Sequence, residues 1–363
     1  MSLFQDMAAM GHERVVFCSN PDVGLQAIIA VHSTVLGPGL GGVRMWPYAN
    51  TDEALNDVLR LSRGMTYKAA AAGLTLGGAK AVILGDAKKD KTEALLRCFG
   101  QYVESLGGDY ITAEDVGTSV RDMETILAET RWVTGVSDAM GGSGDPSPVT
   151  AFGVLQGMKA AAQVAYGDSG LGGKSVAIQG LGNVGFHLAG YLQEEGAKVI
   201  GADVYPQAQE RARAAGVEIV STDEILGVDC DIVAPCALGA TINPETIPTL
   251  KCRIVAGAAN NQLAEEERDG ADLHARGILY APDFVGNAGG LINVYNELMP
   301  SYNRERAKRM ATGIFDNMMR VFEISRTEAI PTQIAAERLA EERIQKMKGL
   351  RPKHWGRLIH GAR

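Results

Sequence analysis

Basic charge, long apolar runs and paired cysteines are all scarce in this chain of 363 residues. Lys and Arg total 35 against 43 Asp and Glu, a formal net charge of −8. A general nucleic-acid binder would carry a basic footprint instead. The one dense basic run, residues 351–363, reads as a solvated or subunit-contact end. No uninterrupted apolar stretch approaches the roughly 18 residues of a membrane span. The beginning lacks the basic-then-apolar pattern of a signal peptide. The five cysteines, Cys18, Cys98, Cys230, Cys236 and Cys252, are odd in number and show no CxxC spacing. Neither a disulfide framework nor a zinc site is suggested, and reduced thiols in a cytoplasmic protein fit best.

Glycine, by contrast, is abundant. There are 44, about 12% against a usual share of roughly 7%. They have no three-residue period, which excludes a collagen-like chain. They cluster instead: Gly37 to Gly42, Gly73 to Gly78, Gly141 to Gly144, Gly170 to Gly173, Gly180 to Gly185 and Gly286 to Gly290. Clustered glycine marks tight turns or backbone closely approached by something else. With 46% hydrophobic residues the chain can bury sizeable cores, and its length suits two domains of about 150 residues.

The first part reads as α/β. Strands are expected at 25–32, 43–45, 79–84 and 110–112, and helices at 51–72 and 91–106. Thr51 serves as N-cap, Asp52 and Glu53 suit the positive helix start, and Gly73 is a stop signal. A boundary falls between 133 and 150, where residues 141–148 are rich in Gly, Ser and Pro. A helix is expected at 148–165. Alternating elements follow: strands at 175–179 and 198–203 around a helix at 183–195, then short β-rich runs at 217–220, 231–234, 253–256 and 278–281. Such alternation indicates a parallel sheet covered on both faces. The end is helical, at 303–325 and 331–347.

Gly180-Leu-Gly182-Asn-Val-Gly185 is a GxGxxG turn. Alone it is a weak signal. Here it follows an apolar strand and opens a helix, the context that gives it meaning. Gly180 makes the tight turn, Gly182 lets backbone approach a pyrophosphate, and Gly185 lets helix and strand pack closely. The helix start, with Asn183 and Val184, offers N–H donors to phosphate. Asp203 ends the next strand. Its carboxylate accepts from ribose hydroxyls and repels a 2′-phosphate, which favours NAD over NADP.

Lys80 begins the apolar run Ala-Val-Ile-Leu, and a lysine on a buried strand is costly unless it is used. Desolvation and a second nearby cation both lower a lysine's pKa, and Lys68 is the candidate for that cation. A lysine tuned this way acts as a base near neutral pH. Asp115 follows a strand, where catalytic acids often sit. Taken singly, each of these residues is as well explained by an ordinary salt bridge or a snorkelling side chain.

At these residues the chain resembles a known family, from about residue 4 to 346. The resemblance rests on Leu36-Gly-Pro-Gly-Leu-Gly-Gly42, Arg63-Gly-Met-Thr-Tyr-Lys68, Gly77-Gly-Ala-Lys80, Tyr110-Ile-Thr-Ala-Glu-Asp115, Gln179-Gly-Leu-Gly-Asn183, Gly257-Ala-Ala-Asn-Asn261 and Tyr280-Ala-Pro-Asp-Phe-Val-Gly-Asn-Ala-Gly-Gly290. It is similar to the branched-chain and aromatic amino acid dehydrogenases of the glutamate/leucine/phenylalanine/valine dehydrogenase family, and most to the leucine type. The resemblance implies an α/β fold of two domains with a cleft between them. One is a discontinuous substrate-binding and oligomerisation domain, 1–134 and 331–363, and the other a Rossmann-type NAD-binding domain, 135–330. It implies NAD-dependent, reversible oxidative deamination of an apolar L-amino acid to the 2-oxo acid with release of ammonium. Leucine, and also valine and isoleucine, are the expected substrates. The alternatives are a phenylalanine or valine enzyme of the same family or, remotely, a catalytically silent NAD-binding protein.

Carried over by motif, Lys80 is the general base and Asp115 handles proton transfer with the amino group. Lys68 and Asn261 bind the substrate carboxylate, and Asn261 also lies on the cofactor side. Thr150 contacts the nicotinamide carboxamide. Leu40, Gly41, Met65, Ala113, Leu291 and Val294 line an apolar pocket. Position 291 is Leu where leucine-type members commonly have Val, which shrinks the pocket and tilts it toward valine. A hydrophobic pocket discriminates one methylene by only about 1–3 kcal/mol. Ala79 stands where the family often has a third Gly, so a positive φ there would strain it. The resemblance further implies a homo-oligomer, dimer or octamer, whose domains close over the substrate, with 141–148 and 286–290 near the crossings. No metal is implied.

Overall fold

The computed structural model describes residues 3–349; the basic run at 351–363 lies outside the described residues. The chain divides into two compact units. The first takes the chain through Asp145, the segment Val294–Asn303 and the chain from Ala340. The second takes Pro146–Asn293 and Arg304–Leu339.

The first unit holds a five-stranded mixed sheet. Its strands are β1 (Arg14–Asn20), β2 (Leu25–Ser33), β3 (Gly39–Trp46), β4 (Gly77–Leu84) and β5 (Tyr110–Glu114), in the order β1-β2-β4-β3-β5. β2 runs antiparallel to β1 and β4, whereas β3 is parallel to β4 and β5. The helices are α1 (Leu3–Met10), α2 (Thr51–Ala71), α3 (Glu93–Ser105) and α4 (Val120–Leu127). α2 covers the sheet by packing Ala54, Val58 and Leu59 on Ile28, Ala30 and Val82. Its cap is Asn50 and not Thr51: the Asn50 side chain accepts from the Glu53 N–H at 2.9 Å, while Glu53 accepts from the Ala49 N–H. Each such capping bond satisfies a donor left over at the helix start.

The observed elements differ from the expected ones at several points. β3 begins at Gly39, not at residue 43, because Gly39–Gly42 pair with β5 and Gly39 and Leu40 also with β4. Tertiary pairing there overrides the low strand propensity of glycine. β1 is an unexpected edge strand, and α4 an unexpected helix whose Ser119 and Asp122 form a capping box. Ala79 is not among the residues with positive φ, so it sits in β4 without strain.

The second unit is built on β6 (Ser175–Gln179), β7 (Lys198–Ala202), β8 (Glu218–Ile219), β9 (Ile232–Pro235), β10 (Ile254–Val255) and β11 (Leu279–Tyr280). All pairings are parallel and the order is β11-β10-β9-β6-β7-β8. That is the Rossmann order, reversing between β6 and β9, where ligands bind beyond the strands' carboxyl ends. The helices are α5 (Ser147–Tyr166), α6 (Asn183–Glu194), α7 (Pro206–Ala214), α8 (Glu266–Ala275), α9 (Asp283–Gly286), α10 (Gly289–Tyr295), α11 (Arg304–Glu328) and α12 (Thr332–Met347). Val233, Val255, Ile242 and Leu273 form part of the core between strands and helices. The glycines of the 286–290 cluster end α9 and open α10: a side chain at Gly289 would meet the Val149 carbonyl at 2.2 Å, so glycine there lets α10 approach α5.

By their contacts the units divide at 145/146, 293/294, 303/304 and 339/340, beside the expected domain limits at 134/135 and 330/331. Buried Glu297 accepts from the N–H groups of Gly135 and Ser143 at 3.0–3.1 Å and from the Ser143 hydroxyl. These bonds keep 135–145 with the first unit and bring 294–303 into it. Within α12, Gln333 donates to the Glu266 carbonyl in the second unit, while Arg343 donates to the Ala70 and Gly73 carbonyls in the first. Among the described residues no helix is long and apolar enough to cross a membrane. No group of three His, Cys, Asp or Glu side chains among them is placed to hold a metal ion.

Candidate active site

In the first unit the chemistry gathers where β3, β4 and β5 lie side by side under α2. Lys80 sits in the middle of β4, opposite Ala30 of β2, and is only 6% exposed. Its Nζ lies 3.1 Å from Oδ2 of Asp115, which follows directly on β5. Arg44 of β3 places Nε 2.9 Å from the same Oδ2, and its Nη1 lies 2.9 Å from Oδ2 of Asp57 on α2. The Tyr48 hydroxyl donates to that Asp57 oxygen at 2.7 Å.

Burial drives the Lys80 pKa below the ordinary lysine value; Asp115 opposes that shift and Arg44 adds to it. Burial likewise disfavours the Asp115 carboxylate, but Lys80 and Arg44 outweigh it and hold its pKa below the ordinary value. The arrangement is an ionised carboxylate beside a lysine that gives up its proton more readily than in water. Arg44, which the sequence reading did not single out, is a cation that presses on Lys80.

The glycines around this cluster are close-packing positions. A side chain at Gly78 would meet the Thr66 backbone nitrogen of α2 at 2.0 Å. One at Gly42 would meet the Glu114 carbonyl at 2.4 Å and Asp115 Cβ at 2.9 Å, and one at Gly41 would approach Met65 at 3.3 Å. Leu40, opposite Ile111 of β5, is buried, and so is Ala113, opposite Gly42. Met65 and Lys68 are half-buried on the last turns of α2. The first unit therefore brings Lys80, Asp115, Gly41 and Met65 together. Val294, half-buried, belongs to this unit as well.

The second unit carries the other expected residues. Gly180, after β6, has φ +98°, which only glycine adopts freely. A side chain at Gly185 would strike the Gly180 carbonyl at 2.0 Å, whereas one at Gly182 would meet nothing within 4 Å. No side chain caps α6, so the first-turn N–H groups beside Asn183 and Val184 are not satisfied that way. Asp203 accepts from the Leu181 N–H at 2.7 Å and from the Tyr205 N–H at 2.9 Å, which ties the turn to the end of β7. Arg211 of α7 donates to the Leu181 carbonyl at 2.8 Å and stacks over Phe186. An open glycine backbone, an uncapped helix start and a carboxylate at the end of the next strand fit a dinucleotide.

Thr150, in the first turn of α5, donates to the Pro146 carbonyl at 3.0 Å and abuts Gly290. Asn261 is exposed, with φ +51°, and its carbonyl accepts from the Ala240 N–H at 2.7 Å. Leu291 is buried in α10.

The sequence reading missed Arg44, Asp57, Tyr48 and Arg211. A signal existed for Arg44: it is a cation inside the apolar strand Val43-Arg-Met45, the same sign that singled out Lys80. Nothing local marks Arg211, whose partners lie about 30 residues back.

Comparison with known proteins bears on the whole chain. Residues 12–132 match the family model described as Glu/Leu/Phe/Val dehydrogenase, dimerisation domain. Residues 141–206 and 202–350 match that of Glutamate/Leucine/Phenylalanine/Valine dehydrogenase. The chain is 56% identical to the leucine dehydrogenase of Thermoactinomyces intermedius over 97% of its own length and 96% of the relative's. It is 49% identical to the valine dehydrogenase of Streptomyces albus, with 94% of each covered. Among solved structures, L-tryptophan dehydrogenase of Nostoc punctiforme superposes with a TM-score of 0.86 at 46% identity, covering 95% of this chain and 99% of that one.

Proposed function

The chain belongs to the glutamate/leucine/phenylalanine/valine dehydrogenase family, and on that premise we propose that it catalyses the NAD-dependent, reversible oxidative deamination of an apolar L-amino acid. The product is the 2-oxo acid, with release of ammonium, and leucine, valine and isoleucine are the substrates. The observation that carries this reading is the buried Lys80–Asp115 pair at 3.1 Å with Arg44 on the same carboxylate oxygen.

Each group has work suited to its chemistry. Lys80, its proton loosened by burial, takes a proton from the attacking water. Asp115 exchanges a proton with the amino group. Lys68 pairs with the substrate carboxylate, and Asn261 offers its amide to the same group and to the cofactor side. Leu40, Gly41, Met65, Ala113, Leu291 and Val294 line the side-chain pocket, which offers no charge to a glutamate side chain. Gly180, Gly182, Asn183, Val184 and Gly185 hold the dinucleotide phosphates, Asp203 the ribose hydroxyls, and Thr150 the nicotinamide carboxamide. The nicotinamide, when bound, supplies the hydride acceptor. The Asp203 carboxylate disfavours a 2′-phosphate, so NAD is preferred to NADP. The protein acts as a cytoplasmic homo-oligomer, dimer or octamer; its five cysteines are all free thiols, which suits a reducing compartment.

A panel of L-amino acids with NAD and with NADP tests the reading. The expected order in kcat/KM has leucine and valine above phenylalanine, and NAD above NADP. Lys80→Ala is expected to lose turnover by orders of magnitude while still binding NADH. Normal turnover in that variant would overturn the assignment of the base, and no NADH from any L-amino acid would overturn the function.

A further inference from the structure

The carboxylate beside Lys80 is held by a second cation that the reaction scheme above does not use. Register places it there. Arg44 of β3 pairs with Val82 of β4, and Val82 shares a face of the sheet with Lys80, two residues earlier. The same face lies under α2, which contributes Asp57. The Arg44 guanidinium therefore spans two carboxylates, with Nε on Asp115 and Nη1 on Asp57, each at 2.9 Å. Both Arg44 and Lys80 hold Oδ2 of Asp115, and Oδ1 makes no hydrogen bond or ion pair among the described residues. Tyr48 and Arg60 complete the support by donating to Asp57 at 2.7 and 3.0 Å.

We infer that Arg44 is a positioning residue of this site: by clamping Oδ2 of Asp115 from the Asp57 side, it turns Oδ1 toward the substrate and prevents Asp115 from serving Lys80 alone. The inference rests on the function proposed above for Lys80 and Asp115.

Its physics is a contest for one oxygen. Arginine keeps its charge at every pH an enzyme meets, so of the two cations on Oδ2 only Lys80 releases a proton. With Arg44 present, Asp115 is already neutralised when Lys80 loses its charge. Without Arg44, the carboxylate would face Lys80 alone and hold its proton more firmly. Asp57 acts in the opposite sense, since its negative charge offsets Arg44 and favours the charged lysine. Other groups lie around the pair. Tyr48, beyond the end of β3, and Arg60 of α2 bond to Asp57, while Tyr110 and Glu114 of β5 feel the Asp115 charge; among the described residues none of these four is bonded to the Asp115 carboxylate oxygens.

The test uses the full-length protein with Arg44→Met, Arg44→Lys and Asp57→Asn. Two readouts are taken on each. One is the pH profile of kcat/KM. The other is the pH dependence of Lys80 acylation by acetic anhydride, followed by mass spectrometry, which reads the lysine's proton whether or not the protein turns over. Arg44→Met is expected to move the acid limb and the acylation midpoint upward by roughly one pH unit, the scale of one neighbouring charge. Arg44→Lys keeps the charge and is expected to stay within a few tenths of native. Asp57→Asn is expected to move both downward. Opposite shifts from the two neutralising variants support the inference; a merely structural role moves neither midpoint. Native midpoints in folded Arg44→Met would overturn it. So would a downward shift in Asp57→Asn that fails to appear, which keeps the question decidable if Arg44→Met does not fold. A wild-type protein inactive on every L-amino acid would overturn the proposed function, and with it the substrate-facing role of Oδ1. The acylation midpoints would then still decide the contest between Arg44 and Lys80.

Discussion

Two glycines near the candidate site make opposite demands on the same substitution. At Gly78 an added methyl would lie 2.0 Å from the Thr66 nitrogen and 2.6 Å from its Cα. Ordinary contact between such atoms is about 3.5 Å, so α2 would have to retreat from β4 by roughly 1 to 1.5 Å. The obstruction is helix backbone, which no rotamer change relieves. Overpacking of this kind costs about 1–3 kcal/mol. The displacement falls at Thr66, between Met65 and Lys68, and the substituted Gly78 lies two residues before Lys80. Misplacing reacting groups by about 1 Å costs on the order of 100-fold in rate. Gly78→Ala is therefore expected to lower the urea midpoint by an amount equivalent to about 2 kcal/mol and kcat/KM about 100-fold. Gly64, on the exposed side of the same helix, has nothing within 4 Å of the position a methyl would take. There alanine removes the helix penalty of glycine and is expected to add about 0.5–1 kcal/mol with kcat/KM unchanged. Urea titration and steady-state kinetics on both variants settle the matter. Native stability and kcat/KM in Gly78→Ala would refute the claim that this contact sets the spacing of the two lysines.

Two further expectations follow from other parts of the chain. His32 is buried beside His12, and burial followed by the His12 charge pushes its pKa down to about 4; its Nε2–H donates to the Met10 carbonyl while Nδ1 accepts from Thr66. The unfolded chain takes up this proton near pH 6.5 and the folded chain only near 4. The contribution is therefore complete above about 6.5 and is lost as pH falls toward 4, by about 2 kcal/mol at pH 5. Denaturant titrations at pH 7 and 5 on wild type and His32→Asn check this, and equal slopes in the two would refute it. At the glycine turn, Gly182→Ala is expected to fold with native stability, since its site is open, yet to raise KM for the dinucleotide about tenfold or more by obstructing the backbone approach that a pyrophosphate needs. Calorimetric NADH titration reads the effect, and native affinity would refute the assigned turn.

The second unit was largely legible because its signals are local. An apolar strand, a glycine turn, a helix and an acid at the next strand end all lie between residues 175 and 203, and strand β6 has the expected bounds. The first unit was less so. Gly39 to Gly42 were left out of the expected strand at 43–45, yet they belong to it, since the partners that hold them sit about 40 and 70 residues away. The contact-based division at 145/146 is hidden from the sequence for a similar reason. The Glu297 carboxylate that retains Gly135 and Ser143 comes from 154 residues beyond Ser143, and nothing in the loop's own composition announces it.

The same distinction explains what was seen of the candidate site. A charged side chain within a buried strand is visible in one dimension, because it violates the apolar pattern at a cost that burial makes large. Lys80 was found by that sign, and Arg44 carries it equally. What the pattern does not contain is the pairing. Asp115 is shared by two cations only because β3 lies between β4 and β5, an order fixed by register and not by chain sequence. Spacing from Met65 made Lys68 look like the second cation, since helical periodicity is the only proximity a single element displays. The sheet supplies another, Arg44, on the Asp115 oxygen that Lys80 also holds. The general consequence is that violations of pattern locate the charged members of a buried site, while the sheet order decides which of them act on one another.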